Sequence, residues 1–216
     1  MSKRQHSARV EHKREQVRQE ILGVARSLLR EGGVEAVTLA SVSGELNMTK
    51  QALYHYFSSK EALVRSLVAT LLDDEIDVLT ATIEASDSVE DTLETLIRAF
   101  YEHYINHLDA FRVVYCQSQL ISASKPGIDR KTLRDEINPR TRHLFDMLEQ
   151  RMSNSDMSSR ERLRVRQLAF TAWTSALGLL TMLGIAEASN DPLVHSDEDL
   201  LGTLSTVFGR AMVSHK

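Results

Sequence analysis

The chain has 216 residues, 42% of them hydrophobic and 26% charged, which is enough to bury one large core or two modest ones and excludes wholesale disorder. The net charge of -4 hides an asymmetry: residues 1–60 carry 10 Lys and Arg against 6 Glu, a balance of +4, so the remainder carries -8. A basic N-terminal module on an acidic body is the charge pattern of a nucleic-acid reader joined to a second domain with another task.

Only 3 prolines and 9 glycines interrupt the chain, and alternating β-branched runs are scarce, so the expected fold class is all-α. Residues 1–12 include Lys3, Arg4 and Arg9 but no apolar periodicity, and are expected to form a flexible basic arm. Such an arm is either a solvated tail or a source of extra phosphate and minor-groove contacts. From about Lys13, the positions Val17, Ile21, Val24, Ala25, Leu28 and Leu29 follow helical spacing, and the Gly32-Gly33 pair ends that helix.

Thr38 then reads as an N-cap for a second helix with Leu39, Val42 and Leu46 on one face. Asn47 tolerates the left-handed backbone of a tight turn, and Thr49 caps a third helix. In that helix Met48, Ala52, Leu53 and Tyr56 are expected to point inward, leaving Lys50, Gln51, Tyr54 and His55 outside. The expected core of this three-helix head is Ile21, Ala25, Leu28, Leu39, Val42, Leu46, Leu53 and Tyr56. A lysine, a glutamine, a tyrosine and a histidine on one exposed helix suit the major groove of DNA, where cations meet phosphates and amides bond base edges. Ser58 with Glu61 reads as a capping box for the next helix, placing Lys60 in its first turn, where free amides and the dipole favour a DNA phosphate.

The run from Leu53 through Tyr54, His55, Tyr56, Phe57, Ser58, Ser59, Lys60, Glu61 and Ala62 to Leu63 resembles the signature of tetracycline-repressor-like (TetR/AcrR) transcriptional regulators. The resemblance covers roughly residues 14–65, with Asn47 standing where the family usually has glycine in the turn. It implies a helix-turn-helix DNA-binding domain at 13–60, joined by a continuous helix to a helical effector-binding and dimerisation domain at 61–216. It also implies a body pocket whose ligand lowers DNA affinity, and a dimer built from the last two helices. The DNA contacts expected are Thr38, Thr49, Tyr54 and Lys60 on phosphates, with Lys50, Gln51 and His55 at base edges.

The helix from Ser59 is expected to continue through Leu63, Leu67 and Leu71 toward Leu79, a lever from the DNA surface into the body. Ser88 and Asp91 read as the start of another helix with Leu93, Leu96, Ile97, Phe100, Tyr104 and Leu108 inside. A further helix is expected from Asp109 through Phe111, Val114 and Tyr115 to Leu120, ending at the turn signal Lys125-Pro126-Gly127. A helical segment resumes near Leu133. Asn138-Pro139 is either a cap with proline in the first turn or a kink, and Leu144, Phe145, Leu148 and Met152 follow. Ser158 and Glu161 make a capping box for a helix reaching about Ala188, with an apolar run at 176–186 that is too short by itself to span a bilayer.

Ser196 caps the last helix, whose apolar face is Leu200, Leu201, Leu204, Val207, Phe208 and Ala211 beside a small-residue stripe of Gly202, Ser205 and Gly209. Two such faces predict a homodimer through the last two helices, and two recognition helices then call for a palindromic operator.

Phe100, His103, Tyr104, His107, Phe111, Tyr115, Cys116, Phe170 and Trp173 gather aromatic and adaptable polar groups in the body, and either line a pocket for a small effector or pack its core. His103 and His107 have the spacing of a two-histidine metal site, but no third ligand is identifiable, so no metal or other cofactor is expected. The single cysteine, Cys116, excludes an intrachain disulfide and fits a reducing cytoplasm. No export signal is visible, and a soluble cytoplasmic regulator is expected. The competing functions are an architectural DNA-binding protein without an effector and a helical enzyme using Cys116 as nucleophile; no phosphate loop, nucleophile elbow or carboxylate metal motif supports an enzyme.

Overall fold

The structure is a computed structural model and describes residues 3–86, 91–116, 134–135, 138–192 and 195–213, with side chains described from residue 8 to residue 210 within those ranges. Among the described residues the regular structure is helical throughout, without a strand. The chain divides into two compact units: the first runs to Leu71 and takes in the described residues Arg112–Cys116, and the second holds 72–111 and the described residues from 134 onward.

In the first unit, α1 runs over Lys3–Ala36, with its regular geometry broken at Gly32 and Gly33. Gly33 has φ 66°, a left-handed conformation that glycine alone adopts without strain, so the glycine pair ends the regular helix as expected. Helix α1 starts at Lys3, within the stretch 1–12 expected to form a flexible basic arm and ahead of the helix start expected near Lys13. This stretch has no proline or glycine, and its Lys, Arg, Gln, Glu and Ala residues favour helix even without an apolar face.

α2 spans Leu39–Glu45 behind Thr38, whose Oγ1 accepts from the Ser41 amide at 3.0 Å. Asn47 turns the chain with φ 50°, and α3 spans Lys50–Tyr54 behind Thr49, whose Oγ1 accepts from the Ala52 amide at 3.2 Å. Ile21, Ala25, Val42 and Leu53 are fully buried, as expected. Leu28, Leu39, Leu46 and Tyr56 are only partly covered, and Leu22, Leu29, Val37 and Phe57 fill the core instead. The turn after Tyr54 rotates Phe57 inward and Tyr56 toward the rim, which a strictly helical projection misses.

α4 spans Lys60–Ala85 and carries the chain from the first unit into the second. Its cap is Ser59, not Ser58: Ser59 Oγ accepts from the Ala62 amide at 3.2 Å, while Ser58 stays exposed. The Ser58–Glu61 capping box therefore does not form, although Lys60 still opens the helix.

In the second unit, α5 spans Thr92–Ile105 behind Asp91, with Leu93, Leu96, Ile97, Phe100 and Tyr104 buried. Ser88 lies outside the described residues. α6 is the single turn Leu108–Phe111, and the chain then continues into a π-helical turn at Arg112–Cys116 that belongs to the first unit. This is shorter than the helix expected to Leu120; residues 117–133, including Lys125-Pro126-Gly127 and Leu133, lie outside the described residues.

α7 spans Asn138–Met152 with Pro139 in its first turn, and α8 spans Ser159–Ser189 behind the Ser158–Glu161 capping box, where each residue bonds the other's amide. α9 spans Asp197–Val213 behind Ser196, whose Oγ accepts from the Asp199 amide at 3.1 Å; Asp197, Glu198 and Asp199 complement its dipole. α5 packs against α8 and α9, and α7 lies along α8. Tyr101 of α5 donates its hydroxyl to Asp197 of α9, and Arg98 pairs with Glu198 at 3.1 Å.

α8 buries a stripe of Ala169, Ala172, Ala176, Leu180, Leu183 and Ala186 but leaves Leu163, Phe170, Met182 and Ile185 more than half exposed. Among the described residues it is the one helix long and apolar enough to cross a membrane by length and composition, because the apolar run at 176–186 belongs to a 31-residue helix. In α9, Leu201 and Phe208 face inward and Val207 outward; Ser205 is buried, so it leaves the outer small-residue stripe to Gly202 and Gly209. The side chain of Ala211 lies outside the described residues.

Candidate nucleic-acid interface

The local backbone of the head decides which side chains meet water. Leu53 is the buried anchor of α3, so the side chains on its other faces point away from the core. Lys50, Gln51, Tyr54 and His55 are all exposed, and Thr49 is exposed at the cap. Thr38 is half-buried because its hydroxyl already caps α2 and lies 2.8 Å from Ser41 Oγ. The structure thus presents Thr49, Lys50, Gln51, Tyr54 and His55 on one short helix, with Lys60 at the start of the next. A single protruding helix of this composition has the width and donor set of a major-groove reader.

Two features of this surface lie beyond the sequence pattern. Arg14 of α1 donates to the His55 carbonyl at 3.4 Å, and Arg18 donates to Ser66 Oγ at 2.8 Å while its guanidinium lies 5.4 Å from the Phe57 ring centre. Arg14, Arg18, Glu11, Glu15 and Tyr56 line a cleft of about 430 Å³ on this unit. These arginines sit at helical spacing on α1, a regularity readable in the sequence, but their partners are more than 40 residues away. Lys60 itself is paired with Glu35 at 3.1 Å.

The residues expected to line a body pocket fall into separate groups. Phe100, Tyr104 and Phe111 are buried in edge-to-face contact, with ring centres 5.4 and 5.5 Å apart, and Trp173 meets Phe100 at 6.2 Å. The Tyr104 hydroxyl donates to the buried Glu75 carboxylate at 2.6 Å, and His103 packs edge-on to the Tyr104 ring at 4.6 Å. Phe170 instead faces outward beside Phe145 and Trp173, with ring centres 5.6 Å from each. It lines an open groove of about 780 Å³ between α7 and α8, with Arg142, Phe145, Leu163, Arg166 and Gln167 among its walls. Of the expected pocket residues only Phe170 reaches this groove; Phe145 and the arginines of α7 and α8 carried no periodic signal pointing to it. Arg166 is held by Asp146 at 2.5 Å and Glu149 at 3.2 Å, which keeps its guanidinium firmly charged.

His103 and His107 do not share a helix face. α5 ends at Ile105 with Asn106 as its C-cap, so His107 lies past the helix and is exposed. Among the described residues no cluster of three His, Cys, Asp or Glu is placed to hold a metal ion. Tyr115 and Cys116 are half-buried in the π-helical turn. Burial pushes the Cys116 thiol up, against the opposing charge of Arg112, which disfavours the thiolate that a nucleophile requires.

Residues 21–67 match the family model for bacterial regulatory proteins, tetR family, and this span contains α2, α3, both threonine caps and Lys60. The chain is 27% identical over 161 residues to the HTH-type transcriptional repressor KstR2 of Rhodococcus jostii (strain RHA1), covering 73% of this chain and 77% of that protein. Its fold is similar to a TetR/AcrR-family transcriptional regulator from Thermobifida fusca YX-ER1, with TM-score 0.66 at 18% identity over 90% of this chain and 97% of that one. It is also similar to the ketosteroid transcriptional regulator KstR2 of Mycobacterium tuberculosis, with TM-score 0.50 at 15% identity over 90% and 93% of the two chains. An exposed helix in a head that matches the tetR family model, together with a helical fold similar to that of TetR/AcrR regulators, supports a DNA-binding transcriptional regulator that resembles this family.

Proposed function

We propose that the chain is a cytoplasmic, ligand-responsive repressor that binds a palindromic operator as a homodimer and is released by a small-molecule effector. The observation that carries this reading is the pairing of an exposed polar reading helix, α3, with an exposed apolar face on α8 and α9. Met182, Ile185 and Val207 are large apolar groups left in water, and such patches in soluble proteins mark surfaces covered by a partner. A Cβ at Gly178, Gly202 or Gly209 would meet nothing within 4 Å beyond the adjoining backbone of its own helix, so these glycines leave room for another helix to approach. An isologous contact through this face supplies two heads, which suits half-sites about one helical turn, roughly 34 Å, apart. The same dimer accounts for the apolar composition of α8 without a membrane.

In this reading Thr38, Thr49, Tyr54 and Lys60 position the head on phosphates, and Lys50, Gln51 and His55 read base edges. The effector binds the body and favours a state in which α4 holds the heads at the wrong spacing, with a coupling of roughly 1–3 kcal/mol. The test is to select genomic fragments that bind the purified chain, then titrate the strongest operator against a panel of compounds suggested by the neighbouring genes. Ketosteroids belong in that panel because the relative from Mycobacterium tuberculosis is named for them. Operator affinity falling about 5- to 150-fold with a compound that binds the body supports the mechanism. A compound that binds the body and leaves operator affinity unchanged contradicts it.

A further inference from the structure

The phosphate-gripping lysine is already occupied by an anion. Lys60 Nζ lies 3.1 Å from Glu35 Oε2 across 25 residues of sequence, and the Glu35 side chain is 87% exposed. Glu35 sits in the short segment between the left-handed Gly33 and the Thr38 cap, so the glycine break and the start of α2 together fix where its carboxylate emerges. Among the described residues Lys60 is its one charged partner. So exposed a pair contributes little to folding, which directs attention to what it does to the lysine. Lys60 is the first residue of α4, and the amides around it remain an anion-attracting helix start.

We propose that Glu35 is a positioning residue of the DNA interface: it holds the Lys60 ammonium at the start of α4 in the free protein, and a DNA phosphate must displace its carboxylate to take the lysine. This rests on the assignment of Lys60 to a phosphate contact. Breaking this pair is a cost of binding any duplex, so Glu35 moderates affinity through Lys60. A phosphate contact is blind to sequence, and the moderation is therefore equal for operator and non-operator DNA.

The experiment uses the full chain, a duplex recovered by in vitro selection, and a scrambled duplex of the same composition. Binding is measured across a salt series for the native chain, Glu35→Gln, Lys60→Ala and the double variant. The expected result for Glu35→Gln is roughly two- to fivefold tighter binding to both duplexes, the size of an exposed ion pair. Its log–log salt dependence steepens by less than the roughly 0.9 of a whole phosphate contact, because the ion pair that the native chain must break is itself screened as salt rises. In the Lys60→Ala background the same substitution changes neither quantity. If Lys60→Ala weakens binding but Glu35→Gln alters neither affinity nor salt slope, the Lys60 assignment stands and the role of Glu35 is overturned. Equal tightening by Glu35→Gln with and without Lys60 overturns it as well, reducing Glu35 to a general surface charge. A Lys60→Ala variant with native affinity and slope removes the underlying assignment and this proposal together.

Discussion

The head and the body solve the same helical packing problem with opposite remainders. In the first unit the core closes on itself through Ile21, Ala25, Val42, Leu53 and Phe57, and α3 is left with Lys50, Gln51 and His55 in water. In the second unit the core closes around Phe100, Tyr104 and Phe111, yet Met182, Ile185 and Val207 remain outside. The difference separates two kinds of recognition. A surface of polar tips on a short helix reads a charged polymer, whereas an apolar face on long helices is complete only against another apolar face.

The sharpest way to break this contrast is in the head's core. Leu53 is wholly buried directly behind the reading surface, so Leu53→Ala should destabilise the head by about 2–5 kcal/mol. Chemical denaturation with hydrogen exchange on residues 39–57 should find that loss in the head while α8 and α9 stay protected. The body's counterpart is Val207→Glu, which alters no buried side chain of its own subunit but puts a carboxylate on the proposed dimer face. Sedimentation should find self-association weakened roughly 100-fold through the cost of burying an unpaired charge, with little change in helix content. A variant that remained as dimeric as the native chain would place the contact elsewhere.

A smaller effect tests the local signals. Thr38→Ala removes the hydroxyl that accepts the Ser41 amide and should cost about 1 kcal/mol of head stability in a thermal melt. The smallest is a pH effect in the body. Burial, then the hydrogen bond to Asp197, hold the Tyr101 hydroxyl well above the ordinary tyrosine value, with the charges of Asp197, Glu198 and Glu102 adding to the shift. A raised folded pKa contributes stability that is fully present below the unfolded value of about 10 and is lost as pH rises beyond it. Tyr101→Phe should therefore lack the alkaline part of the stability decline above about pH 10 and leave the profile between pH 6 and 9 parallel to that of the native chain.

What could be read in the chain follows from the range of the forces involved. Thr38, Asn47, Thr49, Gly33 and the Ser158–Glu161 box act within three or four residues, and each has the backbone role its residue type implies. Errors of one position arise where two adjacent residues offer the same chemistry: Ser59 rather than Ser58 caps α4, and Phe57 rather than Tyr56 enters the core. His107 fell off the expected face because α5 stops at Ile105, an ending that the apolar periodicity continuing to Leu108 conceals. The Glu35–Lys60 pair and the α7–α8 groove depend on residues brought together from distant positions, and no local pattern encodes them.

In the proposed dimer α3 reads DNA twice, once from each subunit. Hydroxyl-radical footprinting of the full chain on a duplex recovered by genomic selection tests it most directly. The expected result is two equal, symmetry-related protected half-sites with centres about 34 Å apart, both weakened together by Gln51→Ala. A single asymmetric footprint per bound particle, or salt-sensitive coating of the duplex with no preferred position, would contradict it.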